Sequence, residues 1–112
     1  MTSDVVLVLT TVPEGERGEA IARAFVDERL AACVNLLAPM TSVYRWEGQV
    51  EREVERQVVI KTTRSQVEAL RVRLASLHPY RLPEFVVLDV AGGSREYLDW
   101  VQASTGAEKP AG

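Results

Sequence analysis

Apolar residues follow two rhythms along this chain. Val5-Val-Leu-Val-Leu9, continued by Thr10 and Thr11, is a nearly unbroken apolar run, the pattern of a strand buried on both faces. Pro13, Gly15 and Gly18 break it and start a helix. There Ala22, Val26 and Leu30 recur at spacing four, with Ile21 and Phe25 beside them, which predicts the buried stripe. Ser65-Gln-Val-Glu68 has the capping-box pattern and predicts the start of a second helix. Val67, Leu70, Leu74 and Leu77 form its apolar face, and His78-Pro79 ends it, because a residue before proline avoids helical geometry. Phe85 to Ala91 reads as the last strand. Gly92-Gly93 turns, Ser94 caps, and Arg95 to Ala103 is a short helix. The order is β-α-β-β-α-β-α, an α+β chain.

The middle of the chain departs from ordinary proportions. Ala32 to Trp46 and Gln49 to Thr63 flank Glu47-Gly48, where Gly48 suits the left-handed position of a bulged hairpin. Each arm runs about fifteen residues, against roughly five or six in a typical strand. Pro39 lacks an amide hydrogen and is expected to bend or bulge the first arm at a sheet edge. In a ferredoxin-like β-α-β-β-α-β sandwich the other strands are too short to pair with the whole of this hairpin. It should overhang, and an overhanging ribbon is not stable alone and offers its edge to another chain. The overhang carries Val43, Trp46 and Val50 as candidate interface residues. Residues 1–105 read as one domain, and residues 106–112 as a flexible tail of Ala, Gly, Pro and charge.

Composition narrows the setting. With 46% apolar and only 6% aromatic residues, the core is expected to be aliphatic with a few placed rings. Thirteen basic against sixteen acidic residues give a net charge of −3, which argues against nonspecific nucleic-acid binding. One cysteine cannot form an internal disulfide, and no basic segment precedes the first apolar run, so a cytoplasmic protein is expected. That run is also too short to span a membrane.

Three phrases carry a resemblance: Leu30-Ala-Ala-Cys-Val-Asn35, Tyr44-Arg-Trp-Glu-Gly48 and His78-Pro-Tyr-Arg-Leu-Pro-Glu84. With Glu55, Lys61-Thr62 and Tyr97-Leu-Asp-Trp100, they resemble the CutA family of divalent-cation tolerance proteins, from about Val5 to about Trp100. The resemblance implies homotrimers of ferredoxin-like subunits, an architecture shared with PII signalling proteins, and an association with divalent metal, copper above all. It makes His78, Glu84 and Cys33 the candidate metal ligands. By analogy with the clefts between PII subunits, it makes Tyr44, Trp46, Glu55, Lys61 and Glu84 the candidate ligand-binding residues. Some family members carry a Cys and a further His where this chain has Thr10 and Leu77, so the implied copper site is thinner here.

Each candidate also has a bland reading. Cys33, among small apolar residues, packs as a buried hydrophobe or binds metal. His78 is a hydrogen-bonded helix-end residue or the copper ligand. Tyr44 and Trp46 share a strand face and serve interface packing or ligand stacking. Glu55 and Lys61 share a face of the second arm and are solvated or line a cleft. Arg56 stands where the family more often has an apolar residue. No catalytic motif is present. An acylphosphatase-like reading fails at Pro13-Glu-Gly-Glu-Arg17, which sets acids where phosphate would sit. An RNA-recognition reading fails at Gln57-Val-Val-Ile-Lys61, which has no stacking aromatics. The expectation is a non-catalytic trimer that binds Cu(II) or another divalent cation at His78, in the micromolar range or weaker and so not as a tightly held cofactor. The alternative is a PII-like sensor of a small anionic metabolite, with Lys61 as its anchor.

Overall fold

The structure, a computed structural model, describes residues 4–107. Strand β1 (Val5–Pro13) lies at the centre of a four-stranded antiparallel sheet. It pairs on one side with β3 (Gln49–Thr63) and on the other with β4 (Val86–Asp89), and β2 (Cys33–Trp46) flanks β3. The order β2-β3-β1-β4 is that of a ferredoxin-like sheet. Helices α1 (Glu16–Asp27) and α2 (Val67–Leu77) pack on one face. There Val6, Val8, Val12, Val58 and Ile60 meet Ile21, Phe25, Leu70 and Leu74 in the main core. Helix α3 (Arg95–Ala103) covers one end of the opposite face, where Val101 meets Val5 and Ala32. None of the described helices is long and apolar enough to cross a membrane.

Local chemistry explains the boundaries. Ser94 caps α3, its hydroxyl accepting the Tyr97 N–H at 3.2 Å. His78 follows α2 in extended conformation, as a residue before proline should. Helix α1 closes in a Schellman turn: Leu30 N–H donates to Phe25 O at 2.9 Å and Arg29 N–H to Val26 O at 3.1 Å. Arg29 takes the left-handed position of that turn with φ 61°. Its guanidinium then reaches the Ala103 and Gly106 carbonyls, each at 2.7 Å, and so ties the end of α3 to the end of α1.

Several expectations are corrected. The buried line of α1 is Gly18, Ile21 and Phe25, and Val26 is exposed. Gly18 lets the helix approach Val12 closely, which turns Val26 outward. Leu30 lies past the helix and packs on the core after the turn. The capping box at Ser65 does not form: Arg64–Gln66 is a 3-10 turn, and the Ser65 hydroxyl instead meets that of Thr63 at 3.4 Å. Of the expected tail, Gly106 donates its N–H to Arg29 O at 2.9 Å, and residues 108–112 lie outside the described residues.

The hairpin closes tightly. Trp46 pairs with Gln49, and Glu47 and Gly48 both have positive φ, 49° and 80°. That is a two-residue type I′ turn in place of the bulged loop expected at the tip. The bulge sits lower, between Leu36 and Pro39, where Leu37 and Ala38 stand against the single residue Gln57. The Arg56 guanidinium donates to Leu37 O at 2.7 Å and Leu36 O at 3.2 Å, carbonyls beside the irregularity. β1 reaches along β3 only from Thr63 to Glu55, so Gln49–Val54 pair with β2 alone. The molecule measures 55 × 27 × 23 Å, and its radius of gyration is 15.1 Å. A compact domain of this length would have about 13 Å. Alternation gives the overhang two unlike faces. Val43, Arg45, Val50, Arg52 and Val54 lie on one, and Ser42, Tyr44, Trp46, Glu51 and Glu53 on the other. Val43 and Val50 are 68% and 67% exposed.

The close approach at Gly18 yields a test. A Cβ there would lie 2.8 Å from Val12 Cγ2, and Val12 is buried and β-branched. Gly18→Ala should therefore destabilise the fold by about 1–2 kcal/mol, overpacking outweighing the gain in helix propensity of roughly 1 kcal/mol. Urea denaturation measures the difference; a more stable variant would show that the helix can shift without loss.

Candidate functional site

The segment 78–85 between α2 and β4 crosses back over the sheet and meets the acidic face of the hairpin. His78 anchors it. The ring is 8% exposed, its Nδ1 accepts the Tyr80 N–H at 3.1 Å, and its Nε2 donates to Thr11 O at 2.6 Å. The Tyr80 ring lies 4.6 Å from that imidazole, and its hydroxyl donates to Glu55 Oε2 at 3.1 Å. Farther out, Arg81 stacks 5.1 Å from the centre of Trp46 and pairs with Glu47 at 2.9 Å. Gln57 Nε2 donates to Glu84 Oε2 at 2.8 Å and to Thr10 O at 2.7 Å, joining the segment to β3 and β1.

These contacts wall a cleft of about 1010 Å³. Glu47, Glu51, Glu53, Glu55 and Glu84 line it, and among the described residues Arg81 is the only basic one in its walls. Glu47 already engages that guanidinium, whereas no Lys or Arg pairs with Glu51 or Glu53 among the described residues. The two phenols register the resulting field. Burial, the hydrogen bond to Glu55 and the charges of Glu55 and Glu53 hold the Tyr80 hydroxyl far above its ordinary range. Partial desolvation, then the hydrogen bond to Glu53 and the charges of Glu53, Glu51 and Glu55, raise Tyr44 as well. A cleft of this sign gathers cations and repels anions.

Four of the expected cleft residues, Tyr44, Trp46, Glu55 and Glu84, meet here. Lys61 does not. It stands six residues from Glu55 along β3, about 20 Å away at strand spacing. Its ammonium lies 5.9 Å from the centre of the Tyr97 ring. The three expected metal ligands are not gathered into one site among the described residues. Cys33 pairs with Lys61 at the far end of β2, half-buried, with its sulfur 3.9 Å from Asn35 Oδ1. His78 has both ring nitrogens in hydrogen bonds, so it holds the 78–85 segment and offers no lone pair to a metal. Glu84 is bonded to Gln57. Among the described residues no group of three His, Cys, Asp or Glu side chains is placed to hold a metal ion. Trp46 faces the cleft under its own chain's Arg81, whereas Val43 and Val50 stand exposed near the tip on the other face.

Sequence reasoning missed Glu51, Glu53, Tyr80, Arg81 and Gln57. The alternation Glu51-x-Glu53-x-Glu55 was a usable signal for the acids. No local signal places Tyr80 and Arg81 on a hairpin some thirty residues earlier in the chain.

The model of the family described as CutA1 divalent ion tolerance protein matches residues 6–104. The divalent-cation tolerance protein CutA of Thermus thermophilus is 49% identical over 100 residues, covering 89% of this chain and 97% of that protein. The chloroplastic protein CutA of Arabidopsis thaliana is 42% identical over 89% of this chain, which spans 55% of the plant protein's length. The solved structure of the Thermus thermophilus protein superposes with a TM-score of 0.89, at 48% identity over 91% of this chain and 99% of that one.

The Tyr80–Glu55 contact predicts an alkaline limb in stability. A phenol whose value is raised in the folded state contributes stability that is complete below its ordinary value of 10.0 and is lost as pH rises beyond it. Tyr80→Phe should cost about 1–2 kcal/mol near neutral pH, because Glu55 loses its donor, and should flatten the decline above pH 10. Denaturation at stepped pH measures both. Parallel alkaline limbs in wild type and variant would remove Tyr80 as the source.

Proposed function

The chain belongs to the CutA1 divalent ion tolerance family, and from that premise we propose that it is a homotrimeric binding protein. Its acidic cleft collects divalent cations, Cu(II) among them, and it catalyses no reaction. One observation carries this reading: the cleft sets five carboxylates against a single guanidinium that is already engaged. Glu51 and Glu53 would hold the ion, as exposed oxygen donors with no basic partner among the described residues. Because no third ligand converges on them among the described residues, the ion keeps much of its water and binds in the micromolar range or weaker. Copper is favoured by its place at the top of the divalent affinity order.

The trimer is supported by the overhang. Gln49–Val54 and their β2 partners have no third strand, and Val43 and Val50 stand exposed on them. A two-stranded ribbon of this length needs a covering surface. The rival reading, an anionic metabolite held by Lys61 between subunits, draws no support from this cleft. The cleft has the opposite charge, and Lys61 lies outside it.

Light scattering at micromolar concentration should give three times the mass of the 12.4 kDa chain, and the melting temperature should fall on dilution. A monomer would end the trimer reading. Calorimetric titration with Cu(II) at pH 7.5 tests the cation reading. Glu51→Gln/Glu53→Gln should weaken binding about tenfold, the sum of two modest charge contacts, whereas His78→Ala should leave it nearly unchanged. The opposite ranking would restore the imidazole as ligand.

A further inference from the structure

The cleft offers more than oxygen donors, because aromatic rings share its walls with the carboxylates. Tyr44 and Trp46 alternate along β2, and Tyr80 faces them from the 78–85 segment. A hydrated metal ion makes little use of such rings. An organic ammonium does, since the negative face of each ring attracts it while its carbon chain is desolvated. The chain displays this preference itself: the Arg81 guanidinium sits over Trp46 at 5.1 Å and pairs with Glu47 at 2.9 Å. An organic cation is thus already seated between a ring and a carboxylate at one end of the cleft. The remainder repeats the same combination, Tyr44 and Tyr80 with Glu51 and Glu53, without a basic side chain of its own.

Spacing narrows the class of ligand. Carboxylates at alternate strand positions recur about every 6.7 Å. Standard bond lengths separate the nitrogens of an extended four-carbon diamine by about 6 Å. The cavity, about 1010 Å³, has room for a chain longer than one such unit. We propose that the cleft binds linear aliphatic polyamines, with ammonium groups on Glu51 and Glu53 and the methylene chain against Tyr44 and Tyr80. The proposal rests on the reading of this cleft as a cation site and adds the organic class that its rings select.

The test uses the full chain carrying Trp100→Phe, so that Trp46 is the sole tryptophan reporter. Spermidine and Cu(II) are titrated separately at low salt, by calorimetry and by Trp46 fluorescence. Spermidine should bind and change the fluorescence. Glu51→Gln/Glu53→Gln should weaken it about tenfold. Tyr44→Ala should weaken spermidine several-fold and Cu(II) by a clearly smaller factor, since the ring serves the organic cation while only its hydroxyl touches Glu53. Tyr44 is partly exposed on the overhang, and Tyr44→Leu, which keeps apolar bulk, serves if the alanine variant melts early. Copper binding without spermidine binding overturns the polyamine proposal alone, as does spermidine binding that ignores both Tyr44 variants. Loss of both ligands overturns the cation reading itself.

Discussion

The constraint on which this structure turns is that β3 outruns its partner. β1 supplies hydrogen bonds to β3 only as far as Glu55, and the next six residues, to the tip, have β2 alone. A bare ribbon has no core to hold it. The chain answers on one side by folding 78–85 against the ribbon, with Tyr80 on Glu55, Arg81 on Trp46 and Glu47, and Glu84 on Gln57. The cleft follows from that answer: it is the space left between an over-long hairpin and the segment that braces it. The other side keeps its valines exposed.

His78 shows how surroundings decide what a residue type does. A sole histidine beside two prolines invites a metal-ligand reading. In the fold it spends both nitrogens on backbone, one on the strand below and one on the residue two places ahead. Its chemistry serves to place Tyr80, and through Tyr80 the buried carboxylate of Glu55. This polar chain is complete: among the described residues no buried side-chain nitrogen or oxygen lacks a partner.

The sequence was legible where one rhythm dominated. The apolar run of β1, the Leu70 and Leu74 stripe, the proline stop at His78 and the cap at Ser94 all came from neighbours within a few residues. So did both hairpin arms, because their length is itself the signal. Legibility failed where distant parts decide. Val26 matches a helical stripe, but the close approach at Gly18 selects the Ile21 and Phe25 line instead. Ser65 fits a capping box, but the exit from β3 is taken by a 3-10 turn. For the site, Tyr44, Trp46, Glu55 and Glu84 came from family resemblance and not from spacing. Lys61 and Cys33 share the sheet face that carries Glu55 yet lie far along it, a separation that alternation alone does not encode.

The bulge at Leu36–Pro39 settles which chemistry the ribbon presents. Below it, Cys33 and Asn35 share a sheet face with Lys61 and Val59. Above it, the parity of β2 is reversed, and Tyr44 and Trp46 stand with Glu51 and Glu53. Had β2 run on without its extra residue, Val43 and Arg45 would face the carboxylates, and the aromatic rings would lie on the other side. Acids and rings would then never meet, and the valines now exposed on the other face would be turned into the cleft. Pro39 has no amide hydrogen to lose at the irregularity. Arg56 satisfies two carbonyls beside it, which gives this residue a local reason to be arginine. A single inserted residue and the guanidinium that accommodates it thus sort the ribbon into an acidic, ring-lined face and a face of exposed valines and arginines.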